Sequence, residues 1–404
     1  MKDTPNNSRQ SATRAFIAIL LSVVLGFFLA DAGVSLLDDT LILGLGVHAL
    51  GVIREATSAL LVLMSILVYL LSGVTPMIPK RFVLPLVLFT PVVQLAVIPL
   101  LIFDYDRLQH IAWVISLCQV LLGLGVLFWV QGTLRFRWPV FRPEQLGNKT
   151  FGWRHLSGFV LVNVLVLLPG VLLYLAVCTS LAVDHFSGGF LALRWDGLAV
   201  RAKTFVRDDN KTIRLVPMMH IGEAGFYRQI SKSLPTNSVI LLEGVTDNKN
   251  LIKHKLRYQR TARSLGLAEQ QEKFVPTQGR LRDADVDVEQ FSERSIDFID
   301  QVGLVHSQGW SLESLQKLIQ YSDDPRILDQ LVDDLLTKRN AHLLKQIEAE
   351  LPGSDVIVVP WGAAHMPGIA EGIQKRGFHL SASQEYQTVH FRAVWNHLFA
   401  AKKK

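Results

Sequence analysis

The chain has 404 residues, 50% of them hydrophobic and 19% charged, with a formal net charge of +6. Its mean hydropathy of +0.29 and a charged fraction below the usual quarter exclude a chain that is soluble throughout. The positive excess lies in short loops between apolar runs and in Lys402, Lys403 and Lys404, where topology signals explain it better than nucleic acid does.

Apolar runs crowd the stretch before residue 190, and nearly all acidic residues follow it. Five segments are long enough for a span, which takes about 20 residues to cross roughly 30 Å of hydrocarbon. They are Phe16 to Leu37, Ala56 to Val74, Phe82 to Phe103, Ile111 to Gly132 and Phe159 to Val183. The first is too long for a signal-peptide core and is expected to stay as an anchor. The third carries Pro85, Pro91 and Pro99, which remove backbone donors and call for compensation by neighbouring helices. Leu41 to Val52 is too short to cross and reads as interfacial or re-entrant. Asp31 is the one acidic residue inside an apolar run. Its place near the end of that segment favours an interfacial position over a transport role. Lys and Arg alternate between rich and poor flanks, as the positive-inside rule requires for a cytoplasmic N-terminus. With five spans, the C-terminal half emerges outside the cytoplasm, across a plasma or bacterial inner membrane.

From about Phe190 the pattern changes to strands alternating with helices, which predicts a separate α/β or α+β domain over 190–404. Leu191 to Trp195 and Leu198 to Phe205 read as a hairpin turning at Asp196-Gly197. Thr212 to Met219 and Ser238 to Leu242 read as strands, with a helix from Glu223 to Ser233 between them. Helical stretches follow at Leu251 to Gly266, Ser311 to Tyr321 and Pro325 to Leu351, the last capped by Asp324 and stopped at Pro352-Gly353. Asp355 to Pro360 is a strand and Pro367 to Arg376 a helix. Phe378 to Ser383 and Tyr386 to Phe391 are further strands. Both cysteines, Cys118 and Cys178, lie in the apolar half, so this domain can form no disulfide.

Ligands of open α/β sheets bind beyond the carboxyl ends of the strands. Three candidates follow strands there: His220, Glu243 and His365. Two imidazoles and a carboxylate suit a divalent metal that activates water, although a strand-end histidine is more often a hydrogen-bonded structural residue. Asp283, Asp285 and Asp287 read as a solvated acidic loop. Gly303-Leu304-Val305-His306 has no strand before it, and His342 has no support beyond its place one turn after Arg339. The tail from Arg392 to Lys404 reads as a solvated terminus or a contact for anionic lipid.

The second half resembles the TraB/GumN (Tiki-like) family. The resemblance is carried by Leu215-Val216-Pro217-Met218-Met219-His220-Ile221-Gly222, Leu241-Leu242-Glu243-Gly244-Val245, Arg339-Asn340 and Pro360-Trp361-Gly362-Ala363-Ala364-His365-Met366-Pro367-Gly368, in the family's order. Nothing comparable covers the apolar half. The resemblance implies a metal-dependent hydrolase of the peptidase kind, using manganese, cobalt or zinc, which the spans would anchor to the membrane. His220 and His365 would be ligands or acid/base groups, Glu243 a ligand or general base, and Arg339 an anion-stabilising group. The second Gly-x-x-His motif is intact through Gly362 and His365. In the first, Pro217 stands where the family has glycine, which removes a backbone donor and the freedom of φ. A non-catalytic binder that captures a peptide in the same cleft is the rival, as the TraB branch's association with pheromone shutdown implies. A transporter with an appended sensor is disfavoured by the scarcity of charge in the spans.

Overall fold

The computed structural model describes residues 5–254, 258–308 and 325–400. Two compact units result, Met1–Cys178 and Thr179–Lys404.

The helical unit contains α1 (Pro5–Leu45), α2 (Gly51–Val74), α3 (Lys80–Phe103), α4 (Leu108–Gln131) and α5 (Trp153–Val162), which runs through a π turn at Asn163–Leu167 into α6 (Leu168–Phe186). Five helices are long and apolar enough to cross a membrane: Gln10–Leu45, Gly51–Val74, Lys80–Phe103, Tyr105–Gln131 and Trp153–Phe186. The π turn has a local cause, because Pro169 lacks the N–H that an α-helix would direct at Leu165 O. The separate interfacial element expected at Leu41 to Val52 is not formed. Apolar residues carry α1 on to Leu45, Gly46 turns the chain at φ +69°, and α2 begins at Gly51.

The last turns of α6 belong to the second unit, because their groups bond to its strands. Ser180 Oγ donates to Leu193 O at 3.0 Å, and Arg201 Nη1 to Asp184 Oδ1 at 2.6 Å. The elements that follow are β1 (Leu191–Leu193), β2 (Gly197–Val206), β3 (Thr212–Met218), β4 (Ile221–Gly222), α7 (Ala224–Lys232), β5 (Val239–Leu242), α8 (Gln259–Ser264), β6 (Ala268–Glu269), α9 (Gln270–Lys273), β7 (Arg280–Asp283) and α10 (Glu293–Gln308). After the undescribed residues come α11 (Pro325–Val332), a π turn at Asp333–Thr337, α12 (Lys338–Glu350), β8 (Val356–Gly362), α13 (Met366–Gln374), β9 (His379–His390) and α14 (Phe391–Ala400).

Seven strands form one mixed sheet in the order β1-β2-β3-β8-β5-β7, with β9 on the other edge of β2. β3, β8, β5 and β7 are parallel, and β4 pairs with β6 in a small second sheet. Alternation along the strands divides the core. Ile213, Leu215, Val239, Leu241, Ile357, Val359 and Trp361 face the side of α12 and α13. Val216, Met218, Ile240 and Val358 face α7.

Several expected elements change in detail. The β1–β2 hairpin turns one residue earlier, at Trp195-Asp196, since Arg194 and Gly197 exchange backbone hydrogen bonds. Gly197 serves the sheet instead: a Cβ there would lie 2.0 Å from Val389 O. The two expected C-terminal strands are one, β9, bulged against β2 at Leu198/Ala199 and Thr204/Phe205. Among the described residues of Leu251 to Gly266 only α8 is helical, and β6 and β7 were not anticipated. The tail from Arg392 folds as α14 up to Ala400. The helix expected at Ser311 to Tyr321 and the cap at Asp324 lie outside the described residues.

Candidate active site

β5 and β8 pair at Val239↔Ile357 and Ile240↔Val358 and then part. The gap lies at their carboxyl ends, where parallel sheets present ligand sites. Pro360 stands beyond the last β5 pairing and Pro217 beyond the last β2 partner of β3, Leu215. Both prolines therefore occupy strand ends, where a sheet tolerates a missing N–H. Trp361, fully buried, spans the gap by donating its indole N–H to Leu241 O at 3.1 Å.

Glu243 follows β5 on the face of α12 and α13. Its Oε2 accepts the Gly362 N–H at 2.5 Å, and a Cβ on Gly362 would stand 3.3 Å from that oxygen, so this motif glycine gives the carboxylate room. His365 ends the short turn Ala363–His365 between β8 and α13. Its Nδ1 lies 2.8 Å from Asn340 Oδ1, an acceptor, so Nδ1 carries a proton.

Arg339 joins them from the first turn of α12. Nε–H donates to Asp285 Oδ1 at 2.9 Å, and Nη2 to Asp285 Oδ2 at 2.6 Å and Glu243 Oε1 at 2.7 Å. Nη1 donates to His365 Nε2 at 3.1 Å and to Leu335 O at 3.3 Å. Leu335 belongs to the π turn, and such turns free backbone carbonyls from the helical ladder. All five guanidinium N–H groups are thus in use. Arg339 stacks over Trp361, 5.5 Å from the ring centre, and desolvation lowers its pKa less than Asp285 and Glu243 raise it.

Two carboxylates, Glu243 and Asp285, face one guanidinium, so with neutral His365 the cluster carries one uncompensated negative charge. Burial pushes the Glu243 carboxyl up, but the adjoining His365 ring, the Arg339 charge and the Gly362 N–H outweigh it and hold the group at about 2. His365 Nε2 lies 3.5 Å from Glu243 Oε1.

Glu243, Arg339 and His365 meet in one cluster. His220 does not join them. It is exposed, stacks on Tyr258 with ring centres 4.9 Å apart, and its carbonyl accepts from Gln270 N–H, which places it beside the β4–β6 sheet. No hydrogen bond or ion pair among the described residues links it to the other three. Asp285 is in the site although its acidic stretch was expected to be a solvated loop. Its side chain is 1% exposed and also accepts from Gly244 N and Val286 N. Ala284, Val286 and Val288 are buried as well, so the alternation Asp-Ala-Asp-Val-Asp-Val marked a buried apolar face but gave no sign that Asp285, on the other face, is buried too. Asn340 is the other residue whose role was not foreseen.

The negative charge would suit a cation, yet the guanidinium already stands where the lone pairs of Glu243, Asp285 and His365 converge. The residues as arranged therefore fit Arg339 and not a divalent ion. Among the described residues no group of three or more His, Cys, Asp or Glu side chains is placed to hold a metal. Compared with known proteins, the chain matches no family model, no curated protein and no solved structure.

Proposed function

We propose that the α/β unit is a hydrolase of the TraB/GumN type that acts on peptides, anchored to a membrane by the helical unit. The observation that carries this is the convergence of Glu243, Arg339 and His365 from three elements far apart in sequence onto one buried cluster at the sheet's carboxyl end. In this reading Arg339 withdraws from His365 Nε2 when substrate binds, the freed Nε2 takes the proton from an attacking water, and Glu243, ionised at neutral pH and 3.5 Å from that nitrogen, stabilises the imidazolium. Arg339 and Asn340 are positioning residues. Since no donor of Arg339 is spare, its expected part in stabilising an oxyanion needs an exchange of partners on substrate binding.

One observation favours the rival reading, a peptide-binding protein without catalysis. His220 stands apart, so one of the two histidines that the resemblance implies is missing from the cluster. The full-length chain in detergent, incubated with a peptide mixture and followed by mass spectrometry, separates the two. Cleavage that disappears in His365→Ala and Glu243→Gln supports the hydrolase; peptide retention without cleavage supports the binder; neither result leaves neither reading standing. Metal content measured on the same preparations, and cleavage after chelation, decide whether manganese, cobalt or zinc belongs here in exchange for Arg339. The orientation is a cytoplasmic N-terminus with the α/β unit outside. A reporter fused after Val183 is then active only when exported, and a cytoplasmic signal would reverse the assignment.

A further inference from the structure

The helical unit has a polar interior of its own. A cavity of about 230 Å³ among α1, α2, α3 and α4 is lined by Asp31, Ser35, Ser58, Thr90, Gln94 and Gln119, among others. Asp31 is buried, at 4% exposure. Its Oδ1 accepts from Ser58 Oγ at 2.6 Å and Thr57 Oγ1 at 3.0 Å, and its Oδ2 from Gln119 Nε2 at 2.9 Å. All three donors are neutral. The neighbouring cations are taken by other groups: Arg54 lines the same cavity but binds Asp39 at 2.7 Å and Asp38 at 3.4 Å, and His48 lies 2.7 Å from Asp38. Among the described residues, no cationic side chain pairs with Asp31.

Depth makes this consequential. Gln119 sits at the middle of α4, Leu108–Gln131, and Thr90 and Gln94 at the middle of α3, Lys80–Phe103. A carboxylate at that level of a spanning bundle calls for a counter-charge. The cavity wall supplies an independent sign of what it lacks. Ser35 is 5% exposed, its side chain lines the cavity, and its hydroxyl has no hydrogen-bond partner among the described residues. Buried polar groups in proteins are nearly always paired. The half-buried Thr90 hydroxyl and the exposed Gln94 amide lie on the same wall, and neither has a partner among the described residues.

We propose that the helical unit binds an alkali-metal cation at Asp31, with Ser35 Oγ, Thr90 Oγ1 and Gln94 Oε1 as further oxygen donors. Hard oxygen ligands suit such an ion. A single carboxylate without a cationic partner matches one positive charge and not two. The cavity leaves space for waters beside the ion, each needing roughly 30 Å³. The scarcity of charge in the spans, which argued against a transport role, is corrected here. α1 runs on to Leu45, so Asp31 is not near a helix end, and Asp38 and Asp39 are buried in the same bundle.

Thermal unfolding of the full-length chain in detergent tests this with sodium chloride against choline chloride at equal ionic strength. The midpoint should rise saturably with sodium alone, as binding to the folded state requires. Asp31→Asn should abolish that rise. The double variant Thr90→Val, Gln94→Leu gives up no hydrogen bond, so it should unfold in choline as the parent does while needing about tenfold more sodium. An equal response to both salts overturns the site, as does a sodium response that persists in Asp31→Asn or is unchanged in the double variant. These outcomes are independent of whether peptides are cleaved.

Discussion

Each unit sets an arginine between two carboxylates, and the two solve the charge problem differently. In the α/β unit Arg339 spends all five N–H groups on Asp285, Glu243, His365 and Leu335 O. In the helical unit Arg54 spans Asp38 and Asp39, and Asp31 is left to neutral donors. The difference lies in saturation. The first cluster is closed on itself, so a substrate must displace something to be felt; the second has unpaired oxygens turned to a cavity, so a ligand can add without displacing anything. Breaking the closed cluster should therefore cost stability first, whereas altering the open one should change ligand response first.

The largest effect is expected from Arg339→Met. It removes the only cation between two carboxylates that are 13% and 1% exposed. Breaking a buried pair in this way costs about 3 to 5 kcal/mol, because a charge is left uncompensated. Chemical unfolding of the full-length chain should show that loss. Arg339→Lys should recover only part of it, since an ammonium cannot reproduce the forked geometry. A Met variant as stable as the parent would show that the cluster is not closed as described.

Glu243 gives the next effect, with a defined pH window. Its folded carboxyl is held at about 2, below its ordinary 4.5. A depressed carboxyl stabilises the fold above the unfolded value, and that contribution is lost as pH falls from about 4.5 towards 2. The magnitude is on the order of 3 kcal/mol. The parent should lose this stability through that window, and Glu243→Gln should lack this component. Parallel curves for the two proteins would place the carboxylate in solvent.

Much of the site was legible because its carriers are local. The apolar runs before Glu243 and before Gly362 mark buried strands, and a residue after such a strand has to lie at the sheet's carboxyl end. Arg339 on a helix would have passed as a surface charge without the motif. What stayed hidden depends on contacts distant in sequence. β7 has no buried residue in Arg280–Asp283, so nothing in its pattern announced a strand or the inward turn of Asp285 after it. Asp38 and Asp39 seemed to end a span, because their neutralising partner, Arg54, comes into reach only when α2 folds back on α1. The displacement of His220 follows from strand alternation: Met218 faces the α7 side, whereas Leu241 and Trp361 face the side that Glu243 occupies.

The smallest expected effect is from Trp361→Phe, and it tests whether closure extends from the charges to the sheet beneath them. The indole N–H is what joins β8 to Leu241 O where the two strands have already parted. The ring also stands edge-on to His365 at 5.2 Å and under Arg339. Phenylalanine keeps an aromatic face for the guanidinium but leaves the Leu241 carbonyl unpaired, and a buried acceptor so left costs about 1 to 3 kcal/mol. The loss should therefore fall below that of Arg339→Met, and the pH window of Glu243 should stay in place, because the groups that hold its carboxyl down are untouched. If the substitution instead moved that window upward, the indole would be acting through the position of Arg339. The closed cluster would then depend on the strand gap as much as on its own ion pairs.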